Sequence, residues 1–148
     1  MNNDRVFKLS RVAQLAETER DRAAGHLQER REQHGAAQSQ LSQLQAFQQE
    51  YEQHLREASA SGMSAQQLRD YRRFLASLAE AIQQQEGVVQ RSDEALGQQR
   101  RELQQRSQHH SRMDDLVARY RKQAQRETDK QEQRQLDDRY AARHRGER

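Results

Sequence analysis

The chain has 148 residues, a third of them charged, with a formal net charge of +3 and no proline, cysteine or tryptophan. Leucine, isoleucine, valine and phenylalanine together number 22, too few to fill the interior of a compact enzyme domain of this size. Disulfides and thiolate metal sites are excluded outright. The abundant residues, Gln, Arg, Glu, Ala and Leu, favour helix. No stretch approaches the ~20 apolar residues that span a bilayer, and residues 1–12 lack the apolar run of a signal peptide, so a cytoplasmic protein is expected.

Hydrophobic spacing is the main structural signal. Alternate steps of three and four residues from Leu9 land on Val12, Ala16, Glu19, Ala23, Leu27, Arg30, His34, Ala37, Leu41, Leu44, Gln48, Tyr51, Leu55 and Ala58. This is a heptad seam with one slip, the doubled four-residue step from Glu19 through Ala23 to Leu27, where the repeat departs from 3.5 residues per turn. A second seam runs without interruption from Leu68 through Tyr71, Leu75, Leu78, Ile82, Gln85, Val89, Ser92, Leu96, Gln99, Leu103, Arg106, His110, Met113, Val117 and Tyr120 to Ala124.

Between the seams, residues 58–64 form the interior cluster of turn-favouring residues. Ser64 and Gln67 have the spacing of a capping box, with Met63 and Leu68 placed for a hydrophobic staple. Folding the chain there brings Leu55 opposite Leu68, Tyr51 opposite Tyr71, Leu44 opposite Leu78, Leu41 opposite Ile82, Leu27 opposite Leu96 and Leu9 opposite Met113. The predicted fold is all-α: a monomeric antiparallel two-helix coiled-coil hairpin forming one domain over residues 1–148. Its helices are expected near 5–58 and 65–140, the turn at 59–64 and a frayed tail at 141–148. The first helix would be on the order of 80 Å long, and the second would overhang it. Gly25 falls level with Gly97 and Gly35 with Gly87, where bending or fraying should begin. A single continuous helix pairing in a parallel homodimer is the competing architecture, opposed by Gly62 and the capping box.

Nothing in the sequence has the spacing of a catalytic centre. His26 and His34 are eight apart, His109 and His110 are adjacent, and no carboxylate completes an i, i+4 ligand pair with the flanks of a metal site. There is no phosphate-binding glycine loop and no activated-nucleophile motif. Neither an enzyme nor a cofactor is expected. Residues 119–148 hold ten basic and six acidic side chains, either a solvated helix end or a basic surface for an acidic partner. The interspersed acids and the sparse aromatics there, Tyr120 on the seam and Tyr140, make a poor nucleic-acid surface, so none is expected.

The aromatics cluster near the predicted turn. Phe47 and Phe74 each stand one residue before a seam position and so lie on its flank. From Phe74 the stripe continues through Leu78, Ala81 and Gln85, and on the facing helix through Tyr51, Phe47, Leu44 and Gln40. Such residues either widen the core or form a docking surface.

The sequence Phe7-Lys8-Leu9 followed by Arg11, Val12 and Leu15, the run Leu44-x-x-Phe47-x-x-x-Tyr51, the turn glycine Gly62, and Tyr71-x-x-Phe74-Leu75-x-x-Leu78-x-x-Ala81-Ile82 together resemble the FliJ family of flagellar type III export proteins. The resemblance covers nearly the whole chain. It implies a coiled coil similar to the central stalk of rotary ATPases, which binds and stimulates a hexameric export ATPase, contacts the cytoplasmic part of the export gate and handles export chaperones. Membrane association would be peripheral, at the inner face of the cytoplasmic membrane and through the export machinery. By position the gate surface would be Gln40, Leu44, Phe47, Tyr51, Phe74, Leu78, Ala81 and Gln85. Phe47 lacks a phenol hydroxyl, and Gln85 cannot take the charge a histidine would. The ATPase-facing residues would be Phe7, Leu9, Arg119, Arg121, Lys122 and Arg126. Injectisome stalk proteins of virulence-type secretion share this architecture, and a purely structural coiled-coil spacer is a further alternative.

Overall fold

A computed structural model describes residues 2–146. Two helices, α1 (Asn2–Ser61) and α2 (Ala65–Gly146), pack against each other as a helical hairpin, with no strand among the described residues. The observed bounds correct the expected ones at both ends of α1 and at the end of α2, which begins at residue 65 as expected. α1 starts before residue 5 and continues past Ala58 to Ser61, and the turn contracts to Gly62–Ser64. Residues 141–146, expected to fray, are helical, while residues 147 and 148 lie outside the described residues. The sequence supplies no breaker before Gly146: proline is absent, and Ala141, Ala142 and Arg143 all favour helix.

The turn has a specific chemistry. Gly62 adopts φ 93°, a left-handed conformation in which a Cβ would crowd the following carbonyl, and this ends α1. Two residues later the capping box forms in full. The Gln67 backbone N–H donates to Ser64 Oγ at 3.1 Å, and the Ser64 N–H donates to Gln67 Oε1 at 3.2 Å. Met63 and Leu68 are both half-buried, as a staple requires. These bonds satisfy amide groups that a helix N-terminus otherwise leaves without partners.

Contacts divide the chain into two compact units, residues 23–102 and residues 1–22 with 103–148. In the first, the buried core is Ala23, Leu27, Ala37, Ile82 and Leu96, joined by two buried glutamines, Gln85 and Gln99. Gln85 Nε2 donates to the Ala37 carbonyl at 3.0 Å and Gln99 Nε2 to the Ala23 carbonyl at 3.2 Å. A helical carbonyl has a second lone pair to offer. It is reachable across the interface here because alanine puts only a methyl between the backbones. The other polar seam level is closed by His34 Nδ1 and Ser92 Oγ at 2.8 Å, while Ser92 also donates to the Val89 carbonyl at 2.8 Å. Arg30, expected on the seam, is exposed.

In the second unit the core is Ala13, Ala16 and Val117. Ala13 is 7% exposed and Val12 44%, the reverse of the sequence expectation. With Ala13 in place of Val12, the inward positions 9, 13 and 16 step by four and three, and Glu19 and Arg20 are both half-buried. Arg106 also leaves the seam and pairs with Glu19 at 3.0 Å on the surface. Beyond Ala124, residues 125–140 of α2 are exposed on every face, and i,i+4 bonds such as Gln125–Asp129 and Gln133–Asp137 decorate them.

Candidate functional site

The unit of residues 23–102 carries the aromatic surface. Tyr51 is a half-buried seam residue. Its ring meets that of Phe74 across the hairpin in a tilted contact, with centroids 4.5 Å apart and planes at 51°, close enough for a favourable ring–ring interaction. Phe47, one turn before Tyr51 on α1, is 52% exposed, and Phe74 is 44% exposed. Both sit on the same flank, because each precedes an inward position by one residue on antiparallel helices.

Of the other residues expected here, Leu44, Leu78 and Ala81 are half-buried beside the aromatics and Gln40 is exposed. Gln85 is placed differently. It is 8% exposed, and its amide is committed to Ala37, so it is a core residue of the hairpin. The stripe instead continues to Val88, a large apolar side chain left exposed. Phe74, Ala81 and Val88 are seven residues apart, the spacing that keeps one coiled-coil flank. That spacing is the signal by which the sequence marks Val88.

In the unit of residues 1–22 and 103–148, the expected basic residues separate by face. At about 100° per residue, Arg119, Lys122 and Arg126 fall within about 60° of one another, on the side away from the inward positions Val117, Tyr120 and Ala124. All three are exposed. Arg121 instead turns toward α1 and reaches Ser10 Oγ at 3.5 Å. Phe7 is 62% exposed, with the Arg11 guanidinium 5.6 Å from its ring centroid, and Leu9 is half-buried on the seam. Arg5 lies 5.6 Å from the Tyr120 ring centroid. An open groove of about 640 Å³ is lined by Val6, Phe7, Ser10, Arg11, Gln14 and Arg121 among others. Four further apolar residues of this unit, outside the expected set, are exposed: Val12, Leu15, Leu136 and Tyr140. The latter two are one turn apart, and Tyr140 packs against His144 at 4.7 Å.

No group of three or more histidine or carboxylate side chains among the described residues is arranged to hold a metal. Nor is any helix among them long and apolar enough to cross a membrane.

A family model described as the flagellar FliJ protein matches residues 5–148. The chain belongs to the FliJ family. It is thus a component of the flagellar protein export apparatus and associates with that machinery. Searches of curated proteins and of solved structures give no significant match. Within this FliJ-family chain, the exposed aromatic flank and the outward basic stripe are among the surfaces that hairpin packing leaves exposed.

Proposed function

We propose that this FliJ-family hairpin acts as a central-stalk-like subunit of flagellar export. In this reading it binds the hexameric export ATPase, engages the cytoplasmic part of the export gate and handles export chaperones at the inner face of the membrane. The chain itself does no chemistry. It favours the assembled ATPase ring by binding that state more tightly than free subunits, and differential affinity is what shifts an equilibrium.

The observation that carries the reading is the Tyr51–Phe74 ring pair beside exposed Phe47. These rings form an apolar surface that the hairpin leaves partly exposed, and aromatic anchors of this kind dominate binding energy in protein interfaces. The partner assigned to this flank is the gate.

The test measures affinity for the purified cytoplasmic part of the gate. Phe74→Ala and Phe47→Ala should each weaken binding by more than tenfold, from the ~2 kcal/mol typical of a buried anchor, with helicity and melting temperature nearly unchanged. If affinity and stability fall together by equal amounts, the aromatics are a widened core and the surface assignment fails.

A further inference from the structure

Four helical glycines in the unit of residues 23–102 lie at two levels. The two buried amide bonds fix the register there, since Gln85 with Ala37 and Gln99 with Ala23 give the same sum of residue numbers. In that register Gly25 is level with Gly97, and Gly35 with Gly87. Packing does not require glycine at any of them. A Cβ at Gly25 or Gly35 would meet nothing within 4 Å. At Gly87 and Gly97 it would meet only the guanidinium ends of Arg91, at 3.5 Å, and Arg101, at 3.8 Å, which are flexible and belong to the same helix.

Between the two levels the buried apolar side chains are Leu27 and Leu96, both next to the Gly25–Gly97 level, and beyond them the stretch is thinly packed. On α1, every residue from 28 to 33 is exposed. On α2 the central inward residue is Ser92, bonded to His34 rather than packed on an apolar side chain. Just outside the glycines, on both sides, stand the buried glutamine bonds.

We propose that residues 25–35 and 87–97 form a compliant joint, in which both helices bend and open together while the Gln85–Ala37 and Gln99–Ala23 bonds hold the register. Glycine raises the local opening of a helix, and kinks concentrate at such residues. Placing them in pairs gives both helices the same weak levels, so the hairpin yields without one strand resisting the other. The flanking amide bonds prevent sliding, and a bend is transmitted without loss of alignment. The joint is independent of which partners the protein binds.

Native-state hydrogen exchange on the full chain tests this. In the wild type, amides of 27–34 and 89–96 should exchange at least tenfold faster than those of 38–45 and 75–82. In the chain carrying Gly25→Ala, Gly35→Ala, Gly87→Ala and Gly97→Ala, that difference should shrink by at least fivefold. Spin labels at the exposed positions Ala24 and Gln45 should also show a narrower distance distribution in the four-alanine chain. Uniform exchange across the wild-type segments overturns the joint. So does a four-alanine chain whose exchange and label distances match the wild type.

Discussion

Gln85 and Ala37 are tied across the hairpin by a buried bond from side-chain amide to backbone carbonyl, 3.0 Å long, and Gln99 repeats it on Ala23 two heptads away. A carbonyl at a fixed height on one helix and an amide at a fixed height on the other define a register as no pair of aliphatic side chains can. A slip would bury the amide with no acceptor, at a cost of about 1–3 kcal/mol.

Gln85→Ala should therefore destabilise the hairpin by about 2 kcal/mol, combining ~1 kcal/mol for the bond with the loss of one buried methylene at ~0.8 kcal/mol. Gln85→Leu replaces the amide with apolar volume and should be nearly neutral in stability, but it should loosen the register. Urea unfolding followed by circular dichroism measures the first effect. Cysteine pairs placed at and one heptad off the native register measure the second. A Gln85→Ala chain as stable as wild type would show that the bond does not hold the interface.

The turn rests on two side-chain choices. Gly62→Ala forces a Cβ into φ 93°, which costs roughly 1–2 kcal/mol. Ser64→Ala removes the oxygen that accepts from the Gln67 N–H and should cost ~1 kcal/mol. At ~2–4 °C per kcal/mol for a chain of this length, each should lower the melting temperature by a few degrees. Ser64→Asp, which keeps an acceptor, should restore most of the loss.

The legible parts of this fold are those carried by spacing and by local chemistry. The second seam holds at nearly every position from Leu68 to Ala124, because large apolar residues mark it without competition. The Ser64–Gln67 box forms as its spacing implies, since both partners lie within four residues. Two parts are misleading in the sequence. Val12 outranks Ala13 in hydrophobicity, yet Ala13 faces inward: a thin interface uses the methyl to bring the backbones together, and a hydrophobicity ranking does not register close approach. Gln85 stands on both the second seam and the flanking stripe in the sequence, and it takes the seam position because a polar side chain becomes a core residue when an opposing alanine bares a carbonyl. Position Gln85 is eleven residues beyond Phe74, a helical but not a heptad interval, whereas Val88 is fourteen beyond it and shares its flank.

The inward placement of Ala13 has a direct consequence. Ala13→Glu would bury a carboxylate without a partner and should cost several kcal/mol, whereas Val12→Glu, on the exposed face, should stay within about 0.5 kcal/mol of wild type. Chemical unfolding of the two variants, side by side, decides the phase of the heptads in this unit. The opposite ranking would return Val12 to the seam.

The basic residues of α2 give the last prediction, which rests on the proposed role with the ATPase. Arg119, Lys122 and Arg126 share an outward face, while Arg121 is engaged with Ser10. An acidic partner surface would feel the first three together, and exposed charges are screened over about 8 Å at physiological salt, so association should slow as ionic strength rises. Changing all three to Glu reverses the stripe without touching an inward residue, so the fold should survive and stimulation of ATP turnover by the purified export ATPase should fall by at least tenfold. Arg121→Glu, a single change on the flank facing α1, should reduce stimulation far less. Truncation after Ala124 spares the seam but removes Arg126 and the exposed extension with Leu136 and Tyr140, and it should leave stimulation intermediate between the two. If the triple variant stimulates as well as the wild type at low and physiological salt, the stripe is solvated helix surface, and the residues that face the ATPase must be sought instead around Phe7, Val12 and Leu15.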